Sequence, residues 1–249
     1  MSNVDVVRYG DADLLTAASA ARLVTVLSDA QAARGSASVV LTGGGTGIDV
    51  LRKLCETPAH RAIDFGRLDV YWGDERFVPA ADEERNELQA REALLDHVPI
   101  DPERVFPMSA SDGDYGDDPA AAAQGYGDLL AQRAGTDGPT PLFDVTLLGL
   151  GPEGHTASLF PGTSYAREGQ RSVLAVRDCP KPPPTRISLS LPAIQRSTEV
   201  WLLAAGESKA EALALAHAGA DPADLPVAGA RGIDRTLWLL DDDAASRLP

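Results

Sequence analysis

Apolar positions along the chain recur with two periods. Between residues 11 and 34 the spacing is helical: Ala20, Leu23, Val24 and Leu27 fall at i, i+3, i+4 and i+7 and share one face. Gly35 supplies the stop. Short apolar, β-branched runs read instead as buried strands. They are residues 3–8, Ser38-Val39-Val40-Leu41, Leu68-Asp69-Val70-Tyr71-Trp72 and Phe143-Asp144-Val145-Thr146-Leu147-Leu148. Further strands are predicted near 172–176, 186–191, 199–204 and 236–240, and helices over 47–56, 86–97, 118–133 and 207–218. The polar, Gly/Asp-rich segment 108–120 reads as an exposed loop. Strands alternating with helices predict an α/β fold with a mostly parallel sheet and helices on both faces. There is no internal repeat. Pro180 to Pro184 makes a rigid local turn, too short for a domain linker. Residues 1–249 are therefore expected to form a single domain, with a small excursion around 163–200.

Candidate chemistry gathers where these strands end. The run 143–148 leads into Gly149-Leu150-Gly151-Pro152-Glu153-Gly154-His155-Thr156-Ala157-Ser158-Leu159-Phe160-Pro161-Gly162. Closely spaced glycines and a proline force a sharp turn, and the turn carries a carboxylate and an imidazole. In open α/β sheets ligands bind at the carboxyl ends of strands. His155 is thus a candidate base near neutral pH, with Glu153 beside it. Residues 156–160 are expected to form a short helix with Thr156 near its start. His60, His97 and His217 have no such setting and read as structural.

Thr42-Gly43-Gly44-Gly45-Thr46-Gly47 lies between a strand and a helix. Glycines let backbone approach a ligand, and a helix start offers free N–H groups to an anion. The dinucleotide fingerprint fails at Ile48, and no Gly-Lys follows to complete a Walker loop. A phosphate or sugar cradle and a plain tight turn both remain open. In Gly73-Asp74-Glu75-Arg76 three adjacent charges cannot all point one way; one contacting a ligand while another anchors the loop, and a plain solvated charge run, both remain open. Arg186 opens a strand after the proline turn. Lys209 falls in the first turn of a helix, where a cation gains nothing from the helix dipole. Singly, both read as surface charges.

Composition narrows the partners. The net charge of −15 argues against nucleic acid. It also means that a small anionic substrate needs a local cluster of Arg, Lys and backbone N–H groups. Two distant cysteines, Cys55 and Cys179, read as reduced thiols. Four scattered histidines show no metal-ligand spacing, so no metal is expected. The first residues lack the basic-then-apolar pattern of a signal peptide, and no run reaches the roughly 18 apolar residues of a membrane helix. A soluble, cytoplasmic monomer without membrane contact is the expectation.

Together the motifs resemble the 6-phosphogluconolactonase family. The matching pieces are Leu41-Thr42-Gly43-Gly44-Gly45-Thr46, Tyr71 through Pro79, the whole of 149–162, Arg186-Ile187 and Gly206-Glu207-Ser208-Lys209-Ala210. The family usually carries Asp where Glu153 stands, and Ser-Asn where this chain has Arg85-Asn86. The resemblance implies a Rossmann-like fold shared with glucosamine-6-phosphate deaminases. It implies hydrolysis of a phosphosugar lactone with His155 as water-activating base and no cofactor. Glu153 would orient that base or hold a sugar hydroxyl. Gly43, Gly44, Gly45 and Thr46, with Arg186 and Lys209, would grip the phosphate, and Asp74, Arg76 and Thr156 complete the substrate site. Two alternatives stand beside it, an amino-sugar-phosphate deaminase and a non-catalytic sugar-phosphate-binding module.

Overall fold

The computed structural model describes residues 4–249; Asn3, at the start of the first expected strand, lies outside the described residues. Six strands form one parallel sheet. In chain order they are β1 (Val4–Tyr9), β2 (Ala37–Leu41), β3 (Leu68–Trp72), β5 (Phe143–Gly149), β8 (Ser197–Ala204) and β9 (Arg235–Asp241). Their spatial order is β1-β9-β8-β5-β2-β3. The order reverses between β2 and β5, because β3 lies to one side of β2 and every later strand of the sheet to the other. The carboxyl ends of β2 and β5 therefore flank a topological switch point, where such sheets bind ligands.

Helix α1 (Ala12–Arg34) buries the face formed by Ala20, Leu23, Val24 and Leu27. Asp11 caps its start, and Gly35, at φ 81°, ends it in the left-handed conformation. Helix α2 (Gly45–Glu56) begins two residues before the expected start, immediately behind Gly44. The remaining helices are α3 (Asn86–Ala93), α4 (Pro119–Ala134), the single turn α5 (Leu191–Ile194) and α6 (Ala210–His217). Two apolar clusters hold the fold. One joins α1, α2 and α3 to the sheet through Leu51, Val70 and Leu147. The other joins α4 and α6 to it through Leu130, Val200 and Leu213. No described helix is long and apolar enough to cross a membrane.

Three of the sequence expectations differ from the structure. The strand predicted over 186–191 is β7 (Arg186–Leu189), and it leaves the parallel sheet. It pairs antiparallel with β4 (Asp74–Arg76) on one side and β6 (Val173–Val176) on the other. β4 is three charged residues, a composition that hides a buried strand. Ser190 then caps α5, with a proline in its first turn. The helix predicted over 86–97 stops at Ala93, because Leu94 takes a non-helical conformation and both Leu94 and Leu95 turn into the core. Residues 156–160 do not form a helix. Ala157 sits at φ 48°, and Thr156 and Leu159 pair as an isolated bridge.

Candidate active site

A cleft of about 140 Å³ opens at the switch point. Thr42, Gly43 and Gly44 line it from the end of β2, and Gly149, Leu150, His155 and Ala157 from the end of β5. Asp74 and Arg76 of β4, Asn86 of α3 and Arg186 of β7 close it. The two sheets thus meet across one opening, and the antiparallel sheet supplies most of its charge.

His155 is largely buried, with its ring stacked on Phe160 at 4.4 Å between centroids. Its Nδ1 lies 3.1 Å from Glu153 Oε1, close enough to feel the charge but outside hydrogen-bond alignment. The fold makes room for this pair with Gly151. A Cβ there would stand 2.0 Å from His155 Nδ1 and 2.7 Å from Glu153 Oε2. Burial drives the His155 pKa below its ordinary value, opposed by the charges of Glu153 and Asp74 and aided by Lys181. The imidazole is therefore neutral at pH 7, the form a base requires. Burial would raise the Glu153 pKa, but the backbone N–H, the Lys181 ammonium and His155 outweigh it and hold the carboxyl low.

The acidic strand divides as its charges demand. Asp74 faces the cleft side and accepts a 2.6 Å hydrogen bond from Ser158 Oγ. Glu75 points the other way, fully buried, and accepts the backbone N–H groups of Arg76, Asn86 and Glu87. Arg85, equally buried, lies 3.6 Å away. Burial pushes the Glu75 carboxyl up to about 7, against the pull of Arg85 and those three donors. Glu75 is thus the anchor that fixes the start of α3 behind the cleft. Arg76 reaches into the cleft while donating to the Glu84 carbonyl.

Asn86 is the first residue of α3. It does not cap α3. Its Nδ2 donates to the Asp74 carbonyl, and its buried Oδ1 has no partner among the described residues. That oxygen lies against Gly43, where a Cβ would stand only 1.8 Å away. The glycine at this position is what lets loop and helix close on each other.

The other expected residues fall in three places. Gly45 and Thr46 form the first turn of α2, just behind the lining residues. Thr156 is fully buried, and its hydroxyl donates to the Gly149 carbonyl, locking the turn from beneath. Arg186 lies 4.0 Å from Asp74 Oδ2, and its other donors go to the Lys181, Pro182 and Pro183 carbonyls. Lys209 sits in a tight turn before α6, outside the cleft lining but within the field of Lys181 and Glu153. Lys181 itself, 3.0 Å from Glu153 Oε2, escaped the sequence reading because its only signal was a charge between prolines. No three His, Cys, Asp or Glu side chains gather as a metal-binding group among the described residues.

A histidine–carboxylate pair at the end of β5 thus faces a glycine loop and two arginines. Residues 10–238 match the family model described as glucosamine-6-phosphate isomerases/6-phosphogluconolactonase, and the chain belongs to this family. Within it, the similarity runs to the lactonase branch. The chain is 57% identical over 243 residues to the 6-phosphogluconolactonase of Streptomyces coelicolor, covering 97% of this chain and 93% of that one. It is 55% identical over 241 residues to that of Mycobacterium tuberculosis, covering 97% of each. Among solved structures, the 6-phosphogluconolactonase from Trypanosoma brucei superposes with a TM-score of 0.87 at 30% identity, covering all of both chains. A monomeric glucosamine-6-phosphate deaminase, at 22% identity and a TM-score of 0.79, shares the fold.

Proposed function

We propose that this chain is a 6-phosphogluconolactonase: it hydrolyses 6-phospho-D-glucono-1,5-lactone to 6-phospho-D-gluconate, with His155 activating the water. The observation that carries the chemistry is the largely buried His155 beside Glu153 in the switch-point cleft, where burial pushes the imidazole pKa down. With Nδ1 turned to Glu153, Nε2 is left to take a proton from water as the oxygen attacks the lactone carbonyl. The same nitrogen returns the proton to the ring oxygen as the C–O bond breaks. Glu153 steadies the transient imidazolium. No serine or cysteine nucleophile is needed, because a six-membered lactone is already a reactive ester.

Lys209, Arg186 and the Gly43–Thr46 loop at the start of α2 hold the phosphate, and Asp74 and Arg76 shape the sugar site, with Thr156 bracing the turn beneath it. Fixing the far end of the substrate positions the reacting carbon. The same reading takes residues 1–249 as one domain. An apolar cluster running from Val173 and Ile187 of the small sheet to Val200 and Leu202 of the large one supports it. It also takes the protein as a cytoplasmic monomer, in keeping with exposed large apolar residues that come from separate segments, Leu14, Tyr115, Leu142, Leu215 and Ile233.

The test pairs two substrates. Freshly generated 6-phosphogluconolactone should disappear faster than its background-subtracted spontaneous rate, and glucosamine 6-phosphate should release no ammonia. Ammonia release without lactonase activity would move the chain to the deaminase branch.

A further inference from the structure

Glu153 is shared between two partners. Its Oε1 faces His155 Nδ1 at 3.1 Å, and its Oε2 accepts from Lys181 Nζ at 3.0 Å. Lys181 rides on Pro180-Lys181-Pro182-Pro183-Pro184, a segment held in place by Arg186. The Arg186 Nε donates to the Pro183 carbonyl at 3.2 Å, and Nη2 to those of Pro182 and Lys181 at 3.1 and 3.3 Å. Most of this guanidinium is thus committed to the strap, and what the strap presents to the site is the Lys181 ammonium. Lys209, on the turn before α6, lies within the electrostatic reach of both Lys181 and Glu153. Burial and the Lys181 charge both push its pKa down, and Glu153 opposes them. One ammonium therefore pairs with the carboxylate beside the histidine, and a second lies within its field.

One carboxylate is a poor match for two cations. A phosphate monoester carries close to two charges at pH 7 and offers three acceptor oxygens. The Lys181 side chain is 41% exposed, so its head can move while the strap stays fixed. We propose that Lys181 is a specificity residue for the substrate's phosphate: on binding, its Nζ leaves Glu153 Oε2 and, with Lys209, takes the phosphate group. This rests on the lactonase reading above. Released from Lys181, Glu153 serves His155 alone, so that seating the phosphate also readies the base.

The experiment compares wild type, Lys181→Met and Lys181→Arg on 6-phosphogluconolactone and on unphosphorylated glucono-1,5-lactone. The readout is the ratio of kcat/KM for the two lactones. Lys181→Met should lower this preference roughly tenfold or more, the worth of one charge-assisted hydrogen bond, with the loss in KM for the phosphorylated lactone. Lys181→Arg should keep most of it. An unchanged ratio, with both lactones losing equally or only the pH profile moving, would overturn the proposal and leave Lys181 as a fixed partner of Glu153. Calorimetry reads the same contact without turnover. Lys181→Met should bind 6-phosphogluconate more weakly while gluconate binding stays as in wild type; equal 6-phosphogluconate affinity in both proteins contradicts the assignment. A wild type that hydrolyses neither lactone would defeat the lactonase reading and still leave the calorimetric test standing.

Discussion

At the scale of single residues the site turns on what burial does to His155. Desolvation disfavours the charged imidazole, and Lys181 adds to that, while Glu153 and Asp74 resist. The sign of the pH dependence follows. Protonation removes the base, and the folded pKa lies below the ordinary 6.5. The acid limb of kcat/KM should therefore have its midpoint below pH 6.5, with activity retained at pH values where a free imidazole is already half charged. A midpoint above 6.5 would mean that Glu153 dominates the environment and that burial has been overvalued. His155 and Glu153 were legible in the sequence because glycines and a proline isolate them after a buried run. Lys181 and the orphaned Asn86 Oδ1 were not. Their importance lies in what faces them across the cleft, which spacing along the chain does not encode.

Elements supply the rigidity that this chemistry needs. The three-residue strand β4 carries Asp74 and Arg76 to the cleft only because Glu75, between them, is pinned from behind by the start of α3 and by Arg85. Arg85 also bonds Glu87 and the Met108 carbonyl, so it ties three segments together. Arg85→Ala would leave the Glu75 carboxyl buried without its cation. We expect a loss of about 3–5 kcal/mol in stability, read as a lower midpoint in urea denaturation. A midpoint within experimental error of wild type would show that the three backbone donors suffice. The parallel strands were readable from their apolar runs, and α1 from its period. β4 was not, since a strand of Asp, Glu and Arg carries no hydrophobic signal. The expected helix after Thr156 failed for a local reason. The turn uses a left-handed Ala157 and a downward-facing Thr156 hydroxyl to aim His155, and neither is compatible with a helical start.

On the scale of the molecule, a chain of net charge −15 binds an anion only by concentrating its cations. Arg76 and Arg186 line the cleft at one end of the parallel sheet, and Lys181 and Lys209 share the field of Glu153. The order of strands brings the two arginines together, because the sheet reverses between β2 and β5 and β7 folds back beside β4. The α/β class and the place of the chemistry could be read from the alternation of runs; the second, antiparallel sheet could not, because its pairing is between segments far apart in the chain. A preformed anion site should make the native state sensitive to product. Saturation with 6-phosphogluconate at about 100 times its Kd should add about 2.7 kcal/mol of stability and raise the Tm, and gluconate at the same concentration should do much less. Equal shifts would place the binding energy in the sugar rather than the phosphate. The most direct measurement is the background-subtracted hydrolysis of freshly generated 6-phosphogluconolactone by wild type beside His155→Ala, with folding checked by circular dichroism. The account predicts a roughly 10²–10⁴-fold fall in kcat with the fold intact. A folded His155→Ala protein that turns over at the wild-type rate would contradict it.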